Sequence, residues 1–431
     1  GKDGEEGEGD HRVHLIYGQE VREMKGYILA AGEGLRMRPL TANIPKPLLP
    51  VAGKPFLEHN IEAFREAGIK DIILLVGWRA HRIHEHFGDG RNFGVRIEYV
   101  EQKERLGTAH AIGMIKSMVD GPFFCLYGDI VLSKETTKAM VALHRKVNGS
   151  VMALTSVEDP RRYGSIIVEN GVVKDIIEKA ETPPSNIINA GAYILSQDIF
   201  EAIAETKKSS RGEYEVTDSF KILMKKSHLY TYAIEDEWMD VARPWDLLEA
   251  NRILMANLEE KIEGDVSERA TVIGKIQVGK GSRVLPGSYV IGPAIIGRDC
   301  EIGPNAYLRP STCIGDTCKI GTAVEIKNSI IMNHTNVPHL SYVGDSVIGE
   351  RCNFGAGTKV ANLRLDEKEV QVVVDGRRTG SGRRKLGVIM GDDVKTGINA
   401  SIDVGTIIGE GTMIGMGAIA RGTIAPKSRI L

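Results

Sequence analysis

The chain has 431 residues, 42% apolar and 26% charged, a soluble globular composition with room for two or three domains whose cores need neither disulfides nor metal. Its 55 Lys and Arg balance 57 Asp and Glu, which excludes bulk attraction to nucleic acid or an anionic membrane and leaves any anion site to be local. Five cysteines without a CxxC pair exclude a disulfide framework and a zinc site, and no apolar run nears the roughly 18 residues of a membrane span, so a reducing cytoplasm is expected.

Residues 1–23 begin without Met, are acidic and glycine-rich at first, and hold no apolar signal core. They are expected to be a disordered or cloning-derived extension. From 24 to about 251, short apolar runs alternate with helical patterns. Tyr27–Ala31, Ile72–Val76, Arg96–Val100, Phe123–Tyr127 and Val151–Thr155 read as buried strands, and Phe56–Ala67 and Gly107–Met118 as amphipathic helices. This predicts a Rossmann-like α/β domain, with ligands beyond the carboxyl ends of its strands.

The first strand leaves through KGYILAAGEGLRMRPLT (Lys25–Thr41), followed by Lys46. A dinucleotide fingerprint would need a third small residue where this chain has Met37. Backbone N–H groups of a glycine turn, with the cations Arg36 and Lys46, suit a triphosphate instead. A plain glycine turn beside solvated cations is the competing reading.

After an expected linker at 252–265 the pattern changes. Val266, Val272, Val278, Val284, Val290, Ile296, Ile302, Leu308, Ile314, Ile320 and Ile326 recur every sixth residue. The pattern resumes at Val337, Val343, Ile348, Phe354, Ile402, Ile408 and Ile414. Neither a helix nor a flat strand has that period, whereas a parallel β-helix places one hexapeptide on each of three faces per coil. A left-handed β-helix is expected over 266–431. The break from Leu363 to Leu386 holds GRRTGSGRRK, read either as a solvated loop or as a cover over phosphates; without interleaved aromatics it does not suggest nucleic acid.

Taken in order, LAAGEGLRMRPLT, PKPLLPVAGKP, EQKERLGTAHA, LYGD, YGSI, IIEKAE, NAGAY and WMDV resemble the nucleotidyltransferase family that joins sugar 1-phosphates to nucleoside triphosphates. The resemblance implies nucleotide contacts from Ala31, Gly32, Gly34, Gln102, Gly107 and Thr108, phosphate contacts from Arg36 and Lys46, and sugar-phosphate contacts from Gly164, Glu178, Lys179 and Asn189. It also implies Asp129 and Asp240 as Mg2+ carboxylates. Both partners of such a reaction are anions, which is why a cation held by one or two carboxylates is wanted. Leu35 stands where the family often has Thr, removing one hydroxyl.

YLRP, VEIKNS, PHLSYVGD, NFGAGT, VANL and RRKLGVIMGDDV resemble the acetyltransferase half of the bacterial enzyme that makes UDP-N-acetylglucosamine; with both halves present, the chain resembles the archaeal bifunctional sugar-1-phosphate nucleotidylyltransferases/acetyltransferases. That resemblance implies His339 as general base, Arg309, Lys327, Tyr342 and Lys385 on the sugar phosphate, and Asn353 and Asn362 on its hydroxyls. Imidazole suits removal of a proton from an amino sugar near neutral pH. Ile398 replaces a serine near the acetyl group, leaving the oxyanion contacts unassigned. The expected substrates are sugar 1-phosphates, acetyl-CoA and UTP or dTTP, and the expected assembly is a homotrimer. The alternatives are a monofunctional nucleotidyltransferase whose β-helix only assembles or regulates it, and a regulatory scaffold with decayed sites.

Overall fold

The computed structural model describes residues 15–16, 19–20, 24–374 and 376–431. Of the expected N-terminal extension, only Leu15–Ile16 and Gln19–Glu20 are described, paired antiparallel; the rest of 1–23 lies outside the described residues.

The apolar runs of the first half form strands because alternate residues meet helices on opposite sides of one sheet. Tyr27, Ile73, Leu75, Phe123 and Cys125 enter one core with helices Asp198–Glu205 and Val216–Leu223. Ile28, Ile72, Leu74, Phe124 and Leu126 enter the other, with Phe56–Glu66 and Lys134–Val147. Lys25–Leu29 lies parallel between Asp71–Val76 and Phe123–Tyr127, third from one edge of a nine-stranded sheet, so the turns that follow these strands open on one side. Antiparallel strands Gly164–Glu169, Val172–Glu178 and Ile187–Leu195 extend the sheet on the far side.

Two expectations change. Arg96–Glu101 is the edge strand rather than a buried one, and of its residues only Ile97 is buried. The expected helix to Met118 ends as an α-helix at Gly113; bonds to the third residue back then tighten the chain through Met118.

The second half is a parallel β-helix. Strands repeat at 18 residues, as in Thr271↔Tyr289↔Tyr307 and Arg283↔Glu301↔Lys319. Nine of the eleven hexapeptide aliphatics, from Val278 to Ile326, lie in its buried core; Val266 and Val272, in the first coil, pack against it partly exposed. The spacing shortens to 17 residues from Cys313↔Ile330 to Tyr342↔Lys359. It then jumps to 42 at Val347↔Ile389, and the excess of 24 over an 18-residue coil equals the length of 363–386. The insertion is not a free loop: Gln371–Val374 and Arg377–Gly380 form a hairpin, with Val370 and Val372 buried against the β-helix and the α/β domain.

The residue before each repeat aliphatic points outward, and its chemistry differs by face. One face shows Arg283, Glu301 and Lys319, ion-paired at 2.7 and 2.9 Å. A second shows Tyr289, Tyr307, Glu325, Tyr342 and Lys359. The third stacks Ile295, Cys313, Ile330, Val347, Ile389 and Ile407 in register. This apolar column forms one core with Leu40, Ile44, Leu49, Phe56, Trp245 and Leu248 of the α/β domain. Helix Asp246–Met255 lies in this interface, and Lys261–Ile262 already pairs with Ile276–Val278. Asn251, fully buried, ties the halves: its Oδ1 accepts from Ala52 N at 2.8 Å and its Nδ2 donates to Ser311 O at 2.9 Å. No helix among the described residues is long and apolar enough to cross a membrane.

If that column holds the halves together, Ile389→Ala should cost about 2–5 kcal/mol, read as a lower thermal midpoint. Glu301→Ala, on the charged face, should cost under about 1 kcal/mol.

Candidate functional site

The turns at the carboxyl edge of the parallel strands converge: Ala30 N donates to Leu75 O at 2.9 Å, Gly128 N to Leu29 O at 3.0 Å, and Gln102 N to Val76 O at 2.8 Å. Gly34 has φ +67°, and a Cβ there would lie 3.0 Å from Lys46 Cβ, so the glycine lets the loop close on the lysine. Thr41 Oγ1 secures the loop by donating to Gly34 O at 2.8 Å. At Gly107 a Cβ would fall 2.4 Å from Tyr214 O, which fixes the approach of that turn; Thr108 Oγ1 accepts from Val216 N at 3.0 Å. Ala31 is buried and Gly32 open. Arg36 is exposed on a single 3-10 turn, and no described residue is recorded as its ion-pair partner.

Asp129 and Asp240 meet because Ile130–Val131 pairs antiparallel with Met239–Asp240, and Val241 N donates to Asp129 O at 2.9 Å. Lys46 Nζ lies 2.8 Å from Asp129 Oδ2. Burial, then the Asp129 charge, pushes the Asp240 carboxyl up to about 6, against the pull of Lys46. Two carboxylates so placed are short of positive charge, and a divalent cation bound there would relieve this. The donor set therefore fits Mg2+ completed by water and phosphate oxygens; no group of three or more His, Cys, Asp or Glu ligands exists among the described residues.

The sugar-phosphate candidates lie on neighbouring antiparallel strands. Gly164 is in register with Glu178, where a Cβ would lie 2.9 Å from Glu178 Oε2. Burial raises the Glu178 carboxyl, opposed by Lys179 at 4.0 Å and Arg211 at 3.7 Å. Asn189 Oδ1 accepts from Tyr193 OH at 2.8 Å and Gly191 N at 3.0 Å, leaving its NH2 group for a ligand. Arg162 and Tyr163, given no role in the sequence reading, lie close by: the charges of Asp240 and Arg36 act on Tyr163, and the charge of Arg162 acts on Asp240 and Asp246.

The β-helix candidates fall into two groups within one chain. Arg309, Lys327, Tyr342 and Asn362 gather on the tyrosine-bearing face and its next corner. Arg309 pairs with Glu325 at 3.0 Å, and Asn362 Nδ2 donates to Tyr342 OH at 3.1 Å. Gly344 makes this approach possible, since a Cβ there would lie 2.5 Å from the Tyr342 oxygen. Lys327 Nζ is 2.7 Å from Asp345 Oδ2, a buried carboxylate that sequence reasoning missed. Its signal was spacing: Lys327 and Asn362 lie 18 and 17 residues away, one coil to either side. His339 and Asn353 instead sit on the charged face, where Asn336–His339 bridges to Asn353 and both side chains are exposed. Lys385 is exposed at the end of the insertion, bridged to Leu363.

A family model described as nucleotidyl transferase matches residues 25–257, and one described as GMPPB C-terminal domain matches 290–397. The chain is 40% identical over 394 residues to a Methanocaldococcus jannaschii protein named bifunctional protein GlmU, covering 91% of this chain and 93% of the relative. It is 40% identical over 399 residues to a Sulfurisphaera tokodaii protein named bifunctional sugar-1-phosphate nucleotidylyltransferase/acetyltransferase, covering 92% and 97%. A Bacillus anthracis crystal structure assigned as a glucose-1-phosphate thymidylyltransferase superposes with a TM-score of 0.51 at 30% identity, covering 55% of this chain and 96% of the other.

The raised Asp240 carboxyl makes a sign-specific prediction. Its folded form keeps a proton up to about pH 6, so the cost of ionising it in the fold is absent below about pH 4 and complete above pH 6. Without divalent cations, Asp240→Asn should raise the thermal midpoint at pH 8, with the gain fading toward pH 4.

Proposed function

The chain belongs to the nucleotidyl transferase family, and from that premise we infer that it is a bifunctional enzyme of nucleotide-sugar synthesis. Its β-helix N-acetylates a hexosamine 1-phosphate with acetyl-CoA, and its α/β domain transfers a nucleotidyl group from UTP or dTTP to a sugar 1-phosphate, releasing pyrophosphate. The observation that carries this reading is that the match to bifunctional relatives runs through both halves, over more than nine-tenths of each chain. A purely regulatory β-helix would have no need of the Lys327–Asp345–Asn362–Tyr342 cluster.

In nucleotidyl transfer, the Gly32–Gly34 turn and the Gln102–Thr108 segment would face base and ribose, while Arg36 and Lys46 hold the phosphates. Asp129 and Asp240 would hold Mg2+, which when bound offsets repulsion between the anionic partners. Gly164, Glu178, Lys179 and Asn189 would set the sugar phosphate for in-line attack on the α-phosphorus, and the two cations stabilise charge building on pyrophosphate. No protein base is needed.

In acetyl transfer, Arg309, Lys327, Tyr342 and Lys385 would hold the sugar phosphate. Asn353 and Asn362 would meet hydroxyls, and His339 would take the ammonium proton before the amine attacks the thioester. His339 lies across a face from Lys327 in its own chain. A homotrimer would let neighbouring subunits bring the two groups together.

Three outcomes follow. Asp129→Ala should abolish pyrophosphate release and leave thiol release from acetyl-CoA nearly intact; loss of both in a folded protein would defeat the two-site reading. His339→Ala should lower kcat for acetylation by roughly 10² to 10⁴ with little change in KM for acetyl-CoA, and should remove the alkaline rise in rate. An unchanged pH profile would remove His339 from the chemistry. Light scattering should give three times the chain mass.

A further inference from the structure

Asp345 sits where three coils of the β-helix and the end of the insertion meet. Its side chain is 4% exposed. Oδ2 accepts from Lys327 Nζ at 2.7 Å and Asn362 Nδ2 at 2.5 Å, and Oδ1 accepts from Asn328 Nδ2 at 2.7 Å. The backbone adds two bonds, Asp345 N to Lys327 O at 2.8 Å and Gly387 N to Asp345 O at 2.9 Å. Lys327 and Asn328 come from the preceding coil, Asn362 from the following one, and Gly387 from the far end of the insertion.

A carboxylate this buried is costly unless its oxygens are met by donors, and here three side chains meet them. The consequence falls on those donors. Lys327 is 17% exposed, and its ammonium lies beside the Asp345 carboxylate at 2.7 Å. A lysine stem is rich in rotamers, and ordering it before a ligand arrives removes that entropic cost from binding. Only one of its three N–H bonds is committed to Asp345, leaving two for a phosphate oxygen. Asn362 is fixed at the same oxygen and reaches Tyr342 OH at 3.1 Å, so a single carboxylate sets the spacing of three groups placed on the sugar phosphate.

We propose that Asp345 is a positioning residue for acetyl transfer: without touching substrate, its carboxylate holds Lys327 in the geometry that grips the phosphate, and Asn362 in the geometry that meets the hydroxyls, of a hexosamine 1-phosphate. This rests on the acetyltransferase reading above.

The test is steady-state acetylation of glucosamine 1-phosphate. Asp345→Asn keeps the size of the side chain but puts an NH2 where only donors face it. It should raise KM for glucosamine 1-phosphate at least about tenfold with kcat within about threefold, and leave KM for acetyl-CoA and the rate of nucleotidyl transfer unchanged. In a Lys327→Met background the same substitution should change KM by less than about threefold, because the group it acts through is gone. A KM for Asp345→Asn within about twofold of wild type, or effects that multiply in the double variant as independent sites would, overturn the proposal. If Asp345→Asn loses nucleotidyl transfer too, it has not folded, and Asn328→Ala is read instead. Freeing one carboxylate oxygen should then raise KM several-fold, and no rise overturns the proposal. A wild type that acetylates nothing defeats the acetyltransferase reading itself; one that acetylates normally beside an unaffected Asp345→Asn defeats only the role of Asp345.

Discussion

A β-helix has outward residues on every coil, and water accepts them only if they are polar or covered. Here one face presents a stack of six apolar residues, Ile295 to Ile407, that the coil itself has no means of burying. Covering that column places the rest of the molecule. The underside of the loop that carries Arg36 and Lys46, through Met37, Leu40, Ile44 and Leu49, packs in the same core. So do Trp245 and Leu248, just beyond Asp240, and the hairpin inserted at 363–386. The contact is polar at its edges: Asn43 Nδ2 donates to Asp392 Oδ2 at 3.2 Å, and Arg243 Nη1 to Gly380 O at 3.1 Å. The segments bearing the first site are thus braced against the domain that carries the second.

The two candidate sites solve a shared electrostatic problem in opposite senses. Each keeps a lysine beside a carboxylate. At the first, Lys46 meets Asp129 while Asp240 stays under-neutralised, with its carboxyl held near 6. That deficit suits an incoming cation. At the second, Asp345 is saturated by three donors, so its charge is directed inward and Lys327 retains free N–H bonds. One carboxylate pair is left short of positive charge, while the other carboxylate is met by three donors.

Much of this was legible in the sequence. The apolar runs placed five of the nine strands of the α/β sheet to within a residue or two, and left Gly164–Glu169, Val172–Glu178, Ile187–Leu195 and Leu229–Ala233 unassigned. The sixfold aliphatic period marked the β-helix because those residues fill its interior. What went unread recurs at a longer interval. The residue before each repeat aliphatic repeats every third hexapeptide: Ile295, Cys313 and then Ile330 on one face, Arg283, Glu301 and Lys319 on another. Sorted by coil, that position foretells which face is covered. Asp345 was missed for the same reason, since its partners are a full coil away. The edge position of Arg96–Glu101 had a signal that went unread: RIEYVE carries three charged residues, unlike the nearly continuous apolar runs DIILLV and FFCLY of the inner strands. The insertion read as soluble by its cations, yet Val370 and Val372 anchor it.

The central claim is that one chain carries both transfers, acetyl on the β-helix and nucleotidyl on the α/β domain. A phosphorus NMR time course on the purified protein with glucosamine 1-phosphate, acetyl-CoA, UTP and Mg2+ tests it most directly. The account predicts that an acetylated sugar 1-phosphate forms and is then consumed as nucleotide sugar and pyrophosphate appear together. Pyrophosphate release with no acetylated product at any time, while acetyl-CoA stays intact, would contradict it.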